Sequence, residues 1–380
     1  MSRRDLLLVA PDIFDREGGI ARIARATSYA CQMICAERGW KLTALALHDT
    51  GRKRDERYLP GAADYFGFSG DRRRLALALL PRALGPRHLG TVFCHINLAS
   101  LGLLYLPRDR SLRRSYSVVA HGVDVWSPLP VHRRLALRQA YEVWPVSTFT
   151  GRMVSDLHGV SPKQVRVIHN CLDPFWVSAR LHQEQPPVRR VLCVARLTHA
   201  DRYKGVDDLI TAFALAAGRA PGLRLTIVGE GDDRPRLQNL AATGPVSDRI
   251  DFYGRVGDEQ LQHLYRTCDI FALPSQKEGF GLVFLEAMAC GKAVIAAASA
   301  AAPEVVVDGS TGLLVPYGDI GRLTLALIQL LTDKVAAQRM GERGNLRWSD
   351  QFSFSLYKRK IEAALDGMTG ESIRTLGPRS

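Results

Sequence analysis

Short apolar runs alternate with helix-length segments along almost the whole chain, and this alternation restricts the fold more than any other feature. "DLLLVA" (5–10) comes first, followed by a loop holding Gly18-Gly19 and a helical stretch from Ile20 to Glu37. "KLTALAL" (41–47), "TVFCHI" (91–96), "YSVVAHG" (116–122) and "EVWPVS" (142–147) come next, with helical segments among them. Strands that alternate with helices predict a parallel sheet covered on both faces.

The stretch "LHQEQPPVRR" (181–190) turns polar and carries two prolines, so it marks a domain boundary. After it the alternation restarts with "VLCVAR" (191–196), "LRLTIVG" (223–229), "RIDFYG" (249–254), "IFALP" (270–274) and "AVIAA" (293–297), with helices at 205–218 and 258–267 between them. The fold class is therefore α/β, with two Rossmann-like domains facing a central cleft, where open parallel sheets bind ligands at the carboxyl ends of their strands. The domains are placed at 1–183 and 184–350. An amphipathic helix at 351–367 follows, then a disordered tail at 368–380.

Composition narrows the function. No apolar run is long enough to span a bilayer, and the first apolar run stops at Pro11-Asp12, too early for a signal-peptide core. Seven cysteines, Cys31, Cys35, Cys94, Cys171, Cys193, Cys268 and Cys290, are odd in number, scattered and never spaced C-x-x-C. They predict buried thiols in a reducing cytoplasm rather than disulfides or a zinc site. The net charge of +13 is uneven, since residues 1–185 hold 27 Lys and Arg against 16 Asp and Glu, and residues 186–380 hold 24 against 22. "GRKRDER" (51–57), "DRRR" (71–74) and "RDRSLRR" (108–114) carry the excess. Such clusters suit anionic lipid, phosphorylated substrates or nucleic acid; a solvated arginine-rich surface is the plainer alternative.

One stretch resists a purely structural reading. In "SQKEGFGLVFLEAMACGKAVIA" (275–296) a strand should end near Pro274 and a helix, stopped by Gly291, should begin after Gly281. "KEGFG" would then present backbone N–H groups to an anion at a helix start. Glu278 sits in that loop, and Glu286 is expected about two turns into the helix. Ionised carboxylates accept hydrogen bonds from paired sugar hydroxyls, so phosphate at the helix end with hydroxyl-rich groups on either side describes a nucleotide sugar. The alternative for Glu286 is a core carboxylate paired with a basic residue.

The E-x7-E spacing of Glu278 and Glu286 resembles the signature of family 4 retaining glycosyltransferases of the GT-B fold, of the kind that assembles bacterial polysaccharides. "DFYGRVGDEQLQHLYRTCDIFALPS", "APEVVVDGSTGLLVPYGD", "VARLTHADRYKGVDDLITAF" and "LTIVGEGDDRPRL" resemble the flanking blocks in order. "AHGVDVW" and "VSTFTGRMV" to "IHNCLDPFW" match more loosely. The resemblance covers roughly residues 5–365 and implies that the helix at 351–367 crosses back to the first domain. It implies that Arg196 and Lys204 pair with the donor diphosphate, Glu286 accepts the ribose hydroxyls, and Glu278 contacts the transferred sugar with help from Gly279, Phe280, Gly281 and Leu282. Gly18 and Gly19 would close over the phosphates, His121 would lie near the sugar, and Gly254, Arg255 and Val256 would meet the base. Catalysis would rest on His121, Arg196, Lys204 and Glu278. For His121 the plainer reading is a satisfied histidine at a strand end; for the two cations it is a solvated surface. Three departures bear on local geometry: the long "LTHADRY" between Arg196 and Lys204, Cys171 after Asn170, and Ala301 before Pro303-Glu304.

No D-x-D occurs, and no His/Cys cluster has ligand spacing, so no metal or other cofactor is expected beyond the nucleotide sugar as co-substrate. The resemblance implies a GDP-mannose or UDP-hexose donor. It implies a saccharide or polyprenyl-diphosphate-linked saccharide acceptor, in exopolysaccharide, capsule or lipopolysaccharide assembly. The basic first half adds peripheral contact with an anionic membrane on its cytoplasmic face. No nucleic-acid partner is expected, because no zinc finger or helix-turn-helix pattern accompanies the basic clusters. A nicotinamide dehydrogenase fails because neither "PDIFDREGGIA" nor "VGEGDDRP" completes G-x-G-x-x-G. Another nucleotide-sugar reaction on the same fold, an epimerase or a phosphorylase, stays open.

Overall fold

Apolar runs without polar interruption become strands buried on both faces, as parallel sheets require. In the computed structural model, which describes residues 3–105, 115–176, 189–219 and 222–370, twelve strands form two six-stranded sheets. The chain divides into two compact units, Met1–Phe175 with Ser353–Ser380, and Trp176–Phe352. The boundary expected at 183/184 lies outside the described residues.

The first unit holds β1 (Asp5–Ala10), β2 (Lys41–Ala46), β3 (Asp64–Gly67), β4 (His88–Phe93), β5 (Tyr116–Ala120) and β6 (Glu142–Pro145). They lie in the order β3-β2-β1-β4-β5-β6, all parallel. Leu7, Val9, Phe93 and Val118 join Leu75, Leu79 and Leu137 from covering helices in one core. The helix Gly19–Arg38 shields one face and ends at Gly39 in the left-handed conformation. The last helix, Phe354–Thr369, packs on it within the same unit. Thr27 Oγ1 and Tyr357 Oη are 2.8 Å apart, Arg38 pairs with Glu362 at 3.0 Å and with Asp366, and Lys358 reaches Glu37 at 2.7 Å. This helix runs two residues beyond the expected 367, to a glycine stop at Gly370; residues 371–380 lie outside the described residues.

The second unit holds β7 (Arg189–Val194), β8 (Leu223–Val228), β9 (Ile250–Gly254), β10 (Ile270–Leu273), β11 (Ala293–Ala297) and β12 (Gly312–Val315). Their order, β12-β11-β10-β7-β8-β9, repeats that of the first sheet. Strand order reverses between β1 and β4 in one sheet and between β7 and β10 in the other. Ligands bind beyond the carboxyl ends of strands at such switch points. Beyond β7 comes Arg196, and beyond β10 comes Glu278. The sheet order thus brings these two loops to one edge. All seven cysteines are buried and free.

Candidate active site

The segment after β7 carries both predicted cations. Ala195 N–H donates to the Val228 carbonyl and Leu197 N–H to that of Glu230, so the chain runs on beside the loop that follows β8. "HADRYK" then folds into a tight turn, His199–Lys204, ended by Gly205 at φ +68°. Buried Asp201 organises it, accepting from Thr198 Oγ1 at 2.7 Å, Tyr203 Oη at 2.8 Å and Arg196 Nη2 at 2.9 Å. Burial, then the bond to Asp201, pushes the Tyr203 phenol up to about 12, so it stays a donor. The base of the turn rests on Asp233, which accepts from Arg236 at 2.6 Å and from Arg202 at 2.8 Å; Arg236 first, then Arg202, holds its carboxyl well below the usual range. The long spacing is therefore absorbed by a braced turn. Arg196, though tethered, keeps its side chain 74% exposed.

Lys204 points the other way. Its Nζ lies 2.5 Å from Glu278 Oε1, with the side chains 15% and 9% exposed. Glu278, expected at an open loop mouth, is therefore a largely buried carboxylate already matched with a cation, because the two loops are stitched together. Gln276 N–H donates to the Tyr203 carbonyl at 2.8 Å, and Ser299 Oγ donates to the Gln276 carbonyl at 2.7 Å. Ala301 closes the loop by donating its N–H to the Glu278 carbonyl at 3.2 Å, and its own φ of −91° suits alanine. The departure from glycine there carries no strain.

Gly281, at φ +89°, starts the helix Leu282–Ala289, and no side chain caps it. A Cβ at Gly281 would meet the Phe284 ring at 2.4 Å, so only glycine lets the chain turn so tightly here. Phe280 is buried edge-on against Phe352, Gly279 is half-buried beside it, and Leu282 is half-buried at the helix start. Glu286 is the fifth residue of this helix, a little over one turn in rather than two, because the helix begins only at Leu282. It is 2% exposed and accepts from Tyr265 Oη at 2.7 Å. One of its hydrogen-bonding neighbours is thus a phenol from the helix Asp258–Thr267. Gly254 (φ +66°) ends β9 on the same sheet edge and accepts from Gly229 N–H, with exposed Arg255 and half-buried Val256 after it.

In the first unit, Gly18 and Gly19 are exposed at the start of the first long helix. The loop before them hangs on Asp49, which is fully buried and accepts from Ile13 and Phe14 N–H at 3.0 and 2.8 Å and from Tyr65 Oη at 2.7 Å. His121 directly follows β5, and its Nε2 lies 2.7 Å from the Cys94 carbonyl. A carbonyl only accepts, so the Nε2–H donates there, and Nδ1 is the ring nitrogen left to meet other groups. His95 stacks on it, with ring centroids 5.7 Å apart; burial pushes the His95 imidazole down to about 4 against the pull of Asp124. Asp201, Asp49, His95 and Tyr265 were not legible as partners, since each meets its neighbours only in the folded chain. Among the described residues, no group of three or more His, Cys, Asp or Glu is placed to hold a metal ion, and no helix is long and apolar enough to cross a membrane.

Residues 179–347 match the family model of the glycosyl transferases group 1. A mannosyltransferase of Mycobacterium tuberculosis, GDP-mannose-dependent and acting on phosphatidylinositol monomannoside by its description, is 30% identical over 398 aligned positions, covering 97% of this chain and 99% of its own. The chain belongs to the group 1 glycosyl transferases. The counterpart in Mycolicibacterium smegmatis is 32% identical over 310 positions, covering 76% of this chain and 79% of its own. Among solved structures, Anabaena Alr3699/HepE in complex with UDP and glucose superposes with a TM-score of 0.75 at 20% identity, over 96% of this chain and all of that one. That likeness shows the fold, which is GT-B. As a group 1 glycosyl transferase the protein is a glycosyltransferase of family 4 type, as the E-x7-E resemblance implied.

Proposed function

We propose that the enzyme transfers a mannose-type hexose from GDP-mannose to a saccharide or lipid-linked saccharide acceptor, with retention of anomeric configuration and without a metal ion. The observation that carries this reading is the Lys204–Glu278 pair beside the uncapped start of the Leu282–Ala289 helix. There a cation for phosphate and a carboxylate for sugar hydroxyls already share one spot. Arg196 and Lys204 neutralise the diphosphate as it leaves, the amides of Gly279, Phe280, Gly281 and Leu282 support it, and Glu278 holds the hexose. Glu286 accepts the ribose hydroxyls, and Gly254, Arg255 and Val256 flank the base. In the first unit Gly18 and Gly19 let backbone approach phosphate, and His121 Nδ1 accepts from a sugar hydroxyl.

Both carboxylates are engaged, Glu278 with Lys204 and Glu286 with Tyr265, so neither is offered as a nucleophile of the glycosidase kind. The acceptor oxygen bonds to the anomeric carbon on the face the diphosphate leaves. The acceptor proton passes to the departing phosphate oxygen. GDP-mannose is favoured over UDP-hexose by two relatives named for that donor, one of them matched over 97% of this chain and 99% of its own.

Thermal unfolding with GDP, UDP, ADP and CMP, with and without EDTA, tests this, since a ligand that binds only the folded state raises the midpoint. GDP is expected to raise it, EDTA to leave the rise intact, and Lys204→Ala to abolish it. A rise that EDTA removes, or none with any nucleotide, would overturn the reading.

The acceptor reading extends to a membrane surface. On the helix Arg72–Ala83, Leu77 is 72% exposed, with Pro81 on the same face and Leu84, 54% exposed, just past its end; Arg72, Arg73 and Arg74 lead it. Arg82 lies 5.1 Å over the ring of half-exposed Phe66. Each arginine near an anionic surface contributes about 1 kcal/mol. The basic segment 108–114 lies outside the described residues. Flotation with phosphatidylserine vesicles at low salt should carry the protein, and Leu77→Glu with Arg73→Glu should release it; equal flotation of both would sink the membrane contact.

A further inference from the structure

We propose that Tyr265 is a positioning residue that fixes the carboxylate of Glu286 and thereby sets the preference for a ribose bearing both hydroxyls; the inference rests on the reading of Glu286 given above. Tyr265 stands on the helix Asp258–Thr267, which supplies none of the predicted site residues, and its side chain is fully buried. Trp176 meets its ring edge-on at 6.2 Å, and Phe271 lies against it at 5.6 Å. The ring is thus held from two sides, and its hydroxyl can reach few places.

A phenol has one hydrogen to donate. Glu286 Oε2 lies 2.7 Å from it and the Val283 carbonyl 3.4 Å, and the shorter distance assigns the hydrogen to Glu286. A bond to an ionised acceptor is the stronger kind, and a carboxylate held by one is no longer free to swing about its stem. An acid that must accept from two neighbouring hydroxyls needs that restraint, because a tilt of the carboxylate plane favours one hydroxyl and loses the other. The same phenol oxygen lies over the first turn of the helix that carries Glu286, so carboxylate and helix start are referred to one fixed point. Tyrosine in a core could instead be there for its ring alone. In that case the hydroxyl would matter to stability and not to which nucleotide binds.

Tyr265→Phe separates the two, since it keeps the ring and removes the hydroxyl. Whichever of GDP and UDP raises the unfolding midpoint is titrated calorimetrically against its 2′,3′-dideoxy form, for the wild type, Tyr265→Phe, Glu286→Gln and the double variant. The wild type is expected to favour the ribo form, and Tyr265→Phe to cut that preference about tenfold, as loss of one hydrogen bond to a charged group implies. Donor KM should rise while kcat at saturation stays within about twofold, because the lost contact serves ground and transition states alike. In the Glu286→Gln background the tyrosine change should add nothing. The preference is a ratio of affinities of folded protein, so a lowered unfolding midpoint does not imitate it. An unchanged preference in Tyr265→Phe, or equal weakening of both ligands, overturns the role of Tyr265 and leaves Glu286 as read. Equal binding of ribo and dideoxy forms by the wild type shows that Glu286 does not read the ribose, and the inference falls with it.

Discussion

Lys204→Ala is expected to lower kcat/KM for the nucleotide sugar by about 100- to 1,000-fold, the usual cost of removing one preorganised charge from a developing anion. The same change strands Glu278, 7% exposed, without the cation that now lies 2.5 Å away. Breaking one side of a buried pair costs about 3 kcal/mol, so the unfolding midpoint should fall as well. The two effects separate in Lys204→Ala with Glu278→Gln. A neutral amide no longer needs the cation, so stability should return toward that of the wild type while turnover stays low. If turnover returned along with stability, the reaction would need neither Lys204 nor Glu278, and their pair would be structural. If Lys204→Ala alone left turnover within about twofold, the assignment of the leaving-group cation would be wrong.

The architecture was legible because burial on both faces leaves an unbroken apolar run for each central strand. "DLLLVA", "KLTALAL" and "LRLTIVG" coincide with β1, β2 and β8, the first to the residue and the other two running one residue past the strand end. The strands that escaped were β3, "DYFG", and β12, "GLLV", four residues each at the sheet edges, where one side lacks a neighbour and the run shortens. The site was legible one residue at a time. Glu278, Glu286, Arg196 and Lys204 stand out by type and spacing, but their pairing spans 74 residues in one case and, for Glu286 and Tyr265, 21 in the other. Only the sheet order brings the loops after β7 and β10 to one edge, and local periodicity says nothing about that order. Asp201 was hidden for a further reason. It looks like one more polar residue in a long loop until Thr198, Tyr203 and Arg196 are seen to converge on it.

Gly205→Ala should disable the site without touching any group assigned to the donor. Gly205 holds φ +68° at the end of the turn that delivers Lys204, and a Cβ there would lie 2.6 Å from the Pro274 carbonyl oxygen. That oxygen belongs to the backbone leading into Ser275, Gln276 and Glu278, so it cannot yield as a flexible side chain would. The left-handed conformation alone costs an alanine about 1 kcal/mol, and forcing the two backbones apart should bring the total to about 3 kcal/mol. The bond from Gln276 N–H to the Tyr203 carbonyl ties the same two loops, so separation also draws Lys204 from Glu278. Gly39→Ala is the matched comparison. Gly39 ends a helix at φ +67°, an added Cβ there would meet nothing within 4 Å, and it lies in the other unit. It should lose about 1 kcal/mol and no activity, because conformation is the whole of its cost. Chemical denaturation of both variants, with donor turnover on the folded fraction, compares them directly. A Gly205→Ala enzyme as active and as stable as Gly39→Ala would mean that the approach of the Lys204 turn to the Pro274 strand end does not hold the two charges together.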